Sequence, residues 1–426
     1  MLRQIRDKTI KTLRWSERYA KTDMVEFATN NTWLFVGRII AVGSGVVLTI
    51  AFANLLTPTA FGTYKYIIAT AGFVGAFSLA GLATSATRMV AQGYKNGIPH
   101  LFSVFMLSSI PASVLTAFIS IYYFYMGNSV LGSGMAFVAL GNMFNGLVLN
   151  KSLLSGSGDF KALFWYGMPR TIIPIAAMIG TLFVTNNLII IFSVYFLVNL
   201  AAGWVSYTLS MRHAEVDASL ENKEVTREAI RFGFHMSIMG GIGVAAAQID
   251  QLLLWHFVGP IELAVFTFAI APIREIKGML ENFSPIIFSR FAIRTRDELR
   301  TSIPLRAKQI FLVSLVFTAL YIFAAPYIFS ILFPQYLSAV FLSQLLALTI
   351  LLQPKSVMEN ALSAQGETTR RYMIIAATQV LKVVLSASLI PLYGLNGAIA
   401  GLLLMELGSA IILAVAYTFF YGRPQK

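Results

Sequence analysis

Apolar runs of about twenty residues, each closed by polar residues, glycine or proline, occupy most of the chain. Twelve of them predict helices at 32–54, 62–86, 101–125, 130–150, 163–184, 188–210, 232–257, 261–288, 309–329, 336–358, 372–391 and 395–420. At about 1.5 Å of rise per residue, each is long enough to cross roughly 30 Å of hydrocarbon. No segment shows the period-two alternation of a strand. The fold class expected is an all-α polytopic membrane protein with about 12 transmembrane helices.

Composition agrees with the pattern. Of 426 residues, 57% are hydrophobic and only 12% charged, and mean hydropathy is +0.72, which excludes a soluble globular protein. The spans leave room for short connections only, so no large extramembrane domain is expected. The chain has no cysteine, and disulfides, thiolate metal sites and cysteine nucleophiles are excluded with it. Residues 1–31 contain seven basic and four acidic side chains and no apolar stretch of signal-peptide length. No cofactor is expected.

Charge then orients the spans. Lys and Arg number 32 against 19 Asp and Glu, and 25 of the basic residues fall in the amino-terminal segment, the even-numbered connections and the carboxy-terminal tail. The opposite connections, near Thr57, Gly127, Asn186, Pro260, Pro334 and Tyr393, contain none. Basic residues concentrate on the cytoplasmic side of membrane proteins, so both termini are expected there, in a cytoplasmic (inner) membrane. Because these residues are scattered between apolar runs, no nucleic-acid partner is expected.

The chain also resembles itself. At an offset of 202 residues, Asn54-Leu55-Leu56-Thr57-Pro58 matches His256-Phe257-Val258-Gly259-Pro260 in character, and Thr87-Arg88 meets Ser289-Arg290. At an offset of 208, Leu154-Ser155-Gly156-Ser157-Gly158-Asp159 meets Leu362-Ser363-Ala364-Gln365-Gly366-Glu367. The register predicts two pseudo-symmetric six-helix bundles sharing one orientation. The organisation expected is a cytoplasmic segment 1–31, an amino-terminal bundle 32–210, a cytoplasmic linker 211–231, a carboxy-terminal bundle 232–421 and a tail 422–426.

Charged residues inside the spans carry the functional signal, since a charge at mid-membrane costs at least about 2.5–3.5 kcal/mol without a partner or a wet cavity. The deeper cations are Arg38, Arg170, Arg274, Lys277, Lys355 and Lys382, against the acids Asp250, Glu275, Glu281 and Glu406. The excess of positive charge suits an anionic substrate group such as a phosphate, and these six are the candidate substrate-binding residues. The bland alternative is interhelical salt bridges; Lys277 and Glu281, four residues apart on one helix face, are a candidate pair. Asp250, Glu275, Glu281 and Glu406 are candidates for ion coupling, with Asp250 and Glu406 foremost. Lys65 and Glu359 lie near span edges and are expected to snorkel.

The segment Ala53-Asn54-Leu55-Leu56-Thr57-Pro58-Thr59-Ala60-Phe61-Gly62-Thr63-Tyr64 after the first span, and Leu154 to Asp159 after the fourth, resemble Wzx-type polysaccharide flippases of the MOP exporter superfamily. The resemblance covers nearly the whole chain. It implies a V-shaped pair of bundles with a cationic cavity and alternating-access transport of a polyprenyl-diphosphate-linked oligosaccharide across the lipid bilayer. H+ or Na+ is implied as an optional coupling ion, and polysaccharide polymerase machinery as an optional partner. A MATE-type antiporter for cationic drugs is the rival, although its cavity would favour acids. A membrane glycosyltransferase or polymerase would need a larger catalytic loop than these connections provide, and no phosphate-binding loop of an ATPase is present.

Overall fold

A computed structural model describes residues 24–281, 291, 296–364 and 368–421. The described residues contain helices and turns and no strand. Among the described residues, each expected span falls mainly on helix. The amino-terminal ones are α1 (Met24–Leu55), α2 (Pro58–Gly75), α3 (Gly81–Ala91), α4 (Ile98–Ser108), α5 (Ile110–Tyr125), α6 (Ser129–Asn142), α7 (Leu149–Gly156), α8 (Phe160–Val184) and α9 (Leu188–His213). The remainder are α10 (Lys223–Phe257), α11 (Pro260–Glu281), α12 (Arg296–Leu332), α13 (Ala339–Ala347), α14 (Lys355–Ala364) and α15 (Thr368–Tyr421). Residues 282–288, at the end of the eighth expected span, lie outside the described residues.

Eight helical stretches among the described residues are long and apolar enough to cross a membrane, and the bent pair running from Ser129 to Gly156, which turns by 59°, makes a ninth if it is one broken span. The remaining expected crossings have local explanations. α15 merges two of them, interrupted at Gly394, whose φ of 58° and ψ of −130° are open to glycine. The second span is divided between α2 and α3. α11 carries Glu262, Arg274, Glu275, Lys277 and Glu281, too many charges to read as a plain apolar span.

The chain divides into two compact units, residues 1–49 with 78–238, and residues 50–77 with 239–426. In the first, the core gathers Leu82, Met89, Leu101, Phe105, Leu149 and Leu153, all buried. The segment after α9 is fastened to this unit. Lys95 donates to the Ala214 carbonyl at 2.6 Å, Asn96 accepts from the Asp217 amide at 3.1 Å, and His100 meets Glu221 at 2.8 Å. In the second unit α2 packs against α11. A Cβ on Gly62 would stand 1.8 Å from the Pro260 carbonyl oxygen, so only glycine permits this approach. Beside it Phe61 and Phe268 lie 4.6 Å apart by ring centroid, and Phe268 and Tyr336 4.0 Å.

The faces of the helices that are not packed inward carry large apolar side chains, among them Phe118, Phe183, Val184, Phe323 and Leu392. For a helix bundle in lipid that outer surface is expected, because the bilayer takes the place of a protein core.

Candidate functional site

The two units treat their intramembrane charges differently. In the second unit the cations meet carboxylates. Lys277 on α11 donates to Glu406 Oε1 at 2.7 Å. Lys355, the first residue of α14, donates to Glu406 Oε2 at 2.5 Å and to Ser409 Oγ at 2.7 Å. Glu406 and Ser409 are three residues apart on α15 and share a face. The three charged side chains retain between 12% and 20% of their surface, so one carboxylate holds two ammonium groups in a largely dry place, with a net charge of +1.

A second ion pair lies on the same unit. Lys382 Nζ stands 3.0 Å from Asp250 Oδ2 and 3.5 Å from the Ala247 carbonyl oxygen, while Ser386 donates to Asp250 Oδ1 at 2.5 Å. Asp250 is buried. Lys277 therefore takes Glu406 across helices and not Glu281, its neighbour on α11; the i, i+4 spacing is outcompeted by a carboxylate projecting from α15. Glu275 and Glu281 are exposed, as is Arg274, and among the described residues none of the three has an ion-pair partner. Lys65, expected to snorkel, is half-buried, with its ammonium 5.4 Å from the centre of the Phe61 ring.

In the first unit, Arg38, Lys151 and Arg170 meet no carboxylate among the described residues. Arg38 on α1 and Lys151 on α7 line a cavity of about 240 Å³ with Trp33, Phe160, Phe164 and Thr171. Arg170 on α8 is half-buried against Gly203 of α9, and its Nη1 is buried without a hydrogen-bond partner among the described residues. Residues 32–210 contain a single acid, Asp159, and it is engaged elsewhere. Its Oδ1 caps α8 by accepting from the Ala162 amide at 2.8 Å, and its Oδ2 meets His213 Nε2 at 2.9 Å. Burial alone would raise the Asp159 pKa, but the His213 and Ala162 hydrogen bonds and the nearby charges of His213 and Lys161 outweigh it and hold the carboxyl below its ordinary value.

Of the six cations singled out in the sequence, then, Lys277, Lys355 and Lys382 are neutralised in whole or part, and Arg38, Arg170 and Arg274 meet no carboxylate among the described residues. Lys151 was missed, because its position after the fourth apolar run reads as a cytoplasmic loop. The signal that would have found it is the acid count: a nearly acid-free stretch of 179 residues cannot neutralise its own cations. Aromatic walls beside two cations, with room for one compact group, suit an anion attached to something apolar.

The described residues form an all-helical, polytopic membrane fold with charge concentrated at a few points within the spans, and that fold is the one seen in solved MOP-superfamily structures. The chain belongs to the polysaccharide biosynthesis protein family, whose model matches residues 27–287. No curated protein matches it. Among solved structures it is similar to the lipid II flippase MurJ in an inward closed conformation, at 12% identity and TM-score 0.73, covering 92% of this chain and 87% of that one. It is also similar to an inward-facing multidrug-resistance MATE transporter, at 15% identity and TM-score 0.62, covering 92% and 98%. A third is a MOP-superfamily transporter from Pyrococcus furiosus described as having a binding pocket of reversed polarity, at 14% identity and TM-score 0.58, covering 92% and 95%.

Proposed function

We propose that this protein is a flippase that moves a polyprenyl-diphosphate-linked oligosaccharide across the cytoplasmic membrane by alternating access, supplying surface polysaccharide such as O-antigen, capsule or exopolysaccharide. Both termini are cytoplasmic in this reading, with polysaccharide polymerase machinery as the downstream partner. The observation that carries it is the set of cations Arg38, Lys151 and Arg170 within residues 32–210, a stretch whose one acid, Asp159, is already engaged. A diphosphate supplies the missing negative charge and accepts bidentate hydrogen bonds from guanidinium groups. The same observation disfavours export of cationic drugs, which would meet repulsion there and no acid to bind.

Lys277, Lys355 and Lys382 contribute less in this scheme because carboxylates already hold them, and Arg274 is a cation of the second unit that meets no carboxylate among the described residues. The test is binding of a polyprenyl diphosphate to the purified full chain. Replacing Arg38, Lys151 or Arg170 with Gln removes a charge-assisted hydrogen bond of about 1.5–3 kcal/mol and is expected to weaken binding about tenfold or more. Lys277→Gln is expected to change it little. Unaltered binding by both the Arg170 and Lys151 variants, with folded protein in hand, would overturn the assignment.

A further inference from the structure

Asp250 is the buried carboxylate that the sequence offers as a seat for a coupling cation, and the structure shows what faces it. Two oxygens face the Lys382 ammonium, Asp250 Oδ2 at 3.0 Å and the Ala247 carbonyl at 3.5 Å, and the Ser386 hydroxyl holds the carboxylate by donating to Oδ1. Ala247 lies one helical turn before Asp250 on α10, so its carbonyl and the carboxylate share a face. A helix carbonyl that already accepts its i+4 amide keeps a second lone pair, available to a cation.

One carboxylate with a carbonyl is a poor seat for a divalent metal, which gathers six or more oxygens and several carboxylates. Its single negative charge matches one positive charge. The Lys382 ammonium supplies that charge at ion-pair distance from Oδ2, reaching in from α15.

We infer that Asp250 and the Ala247 carbonyl, with Ser386 fixing the carboxylate, form a monovalent-cation seat that this chain fills with its own Lys382 ammonium. The cation at this position is covalently tethered to α15 through the lysine side chain. Small cations in solution therefore find the seat occupied, and the protein is indifferent to sodium there. Removing the ammonium opens the seat to Na+ or K+. The inference is independent of what the protein carries.

The experiment is the thermal unfolding midpoint of the purified full chain in NaCl, KCl or N-methyl-D-glucamine chloride at equal ionic strength. The wild-type midpoint is expected to be the same in all three. Lys382→Ala, and Lys382→Met, which keeps the apolar stem, are expected to lose stability in N-methyl-D-glucamine and regain several degrees in the small-cation salts. The double variant D250N/K382A, with no charge to neutralise, is expected to lose that sensitivity. Folded Lys382 variants indifferent to cation type would overturn the inference. So would Lys382 variants that fold in no salt while D250N/K382A folds, since a small cation would then have failed to replace the ammonium. A sodium-specific stabilisation of the wild type that D250N abolishes would overturn it as well.

Discussion

At the scale of single residues, the partition of cations into held and free is what distinguishes one candidate from another. Glu406→Gln would leave Lys277 and Lys355 sharing a neutral amide. Removing one partner of a buried pair costs about 3–5 kcal/mol, and the lower end is expected because both ammonium groups keep roughly a fifth of their surface. Thermal unfolding of the variant in detergent measures this, and adding Lys277→Met and Lys355→Met to it should recover part of the loss. Asp159 separates capping from charge. Asp159→Asn keeps a capping oxygen, whereas Asp159→Ala should lose a further amount of about 1 kcal/mol. Because the folded-state pKa is depressed, the carboxylate's stabilisation is fully present above the ordinary unfolded value of about 3.9 and is lost as pH falls through the lower folded value. Which residues are charged and which helices carry them was legible in the sequence. Their partners were not, because Lys277 and Glu406 are 129 residues apart and no local spacing encodes such a meeting.

At the scale of elements, apolar periodicity located the spans and could not report how the backbone passes through them. The interruption at 76–80, the 3-10 turns at Asn145–Val148 and Leu348–Leu352, and the bend between α6 and α7 all sit inside uninterrupted apolar runs, where a hydropathy window sees only transfer energy. The interruption between Pro391 and Leu395 was legible, because proline and Gly394 mark it in the sequence. Glycine positions divide in the same manner between those that permit contact and those that do not. Gly62→Ala would place a methyl on the Pro260 carbonyl oxygen, so α2 and α11 must separate. A loss at or beyond the upper end of about 1–3 kcal/mol is expected for such overpacking. Gly43 on α1 has nothing within 4 Å of an added Cβ, and Gly43→Ala should be neutral or gain up to about 1 kcal/mol from helix propensity. Paired unfolding midpoints of the two variants check this contrast.

At the scale of the whole molecule, the basic residues on alternate connections predict the orientation. The chain contains no native cysteine, so single cysteines report without background. Those introduced at Asn128, Asn186 or Asn396 should react with an impermeant reagent from outside intact cells, and one at Ser219 should not. The transported species is the larger question. In the proposed function, Arg38, Lys151 and Arg170, in a stretch from 32 to 210 with a single, already engaged acid, receive an anion. The direct test is transport by the full chain in proteoliposomes, following a fluorescent polyprenyl-diphosphate-linked oligosaccharide from one leaflet to the other beside a lipophilic cationic dye under an imposed pH gradient. The account predicts that the lipid-linked sugar changes leaflet, that the dye does not accumulate, and that the combined Arg38→Gln, Lys151→Gln, Arg170→Gln protein, still folded, moves neither. Gradient-driven accumulation of the dye with no movement of the lipid-linked sugar would contradict it.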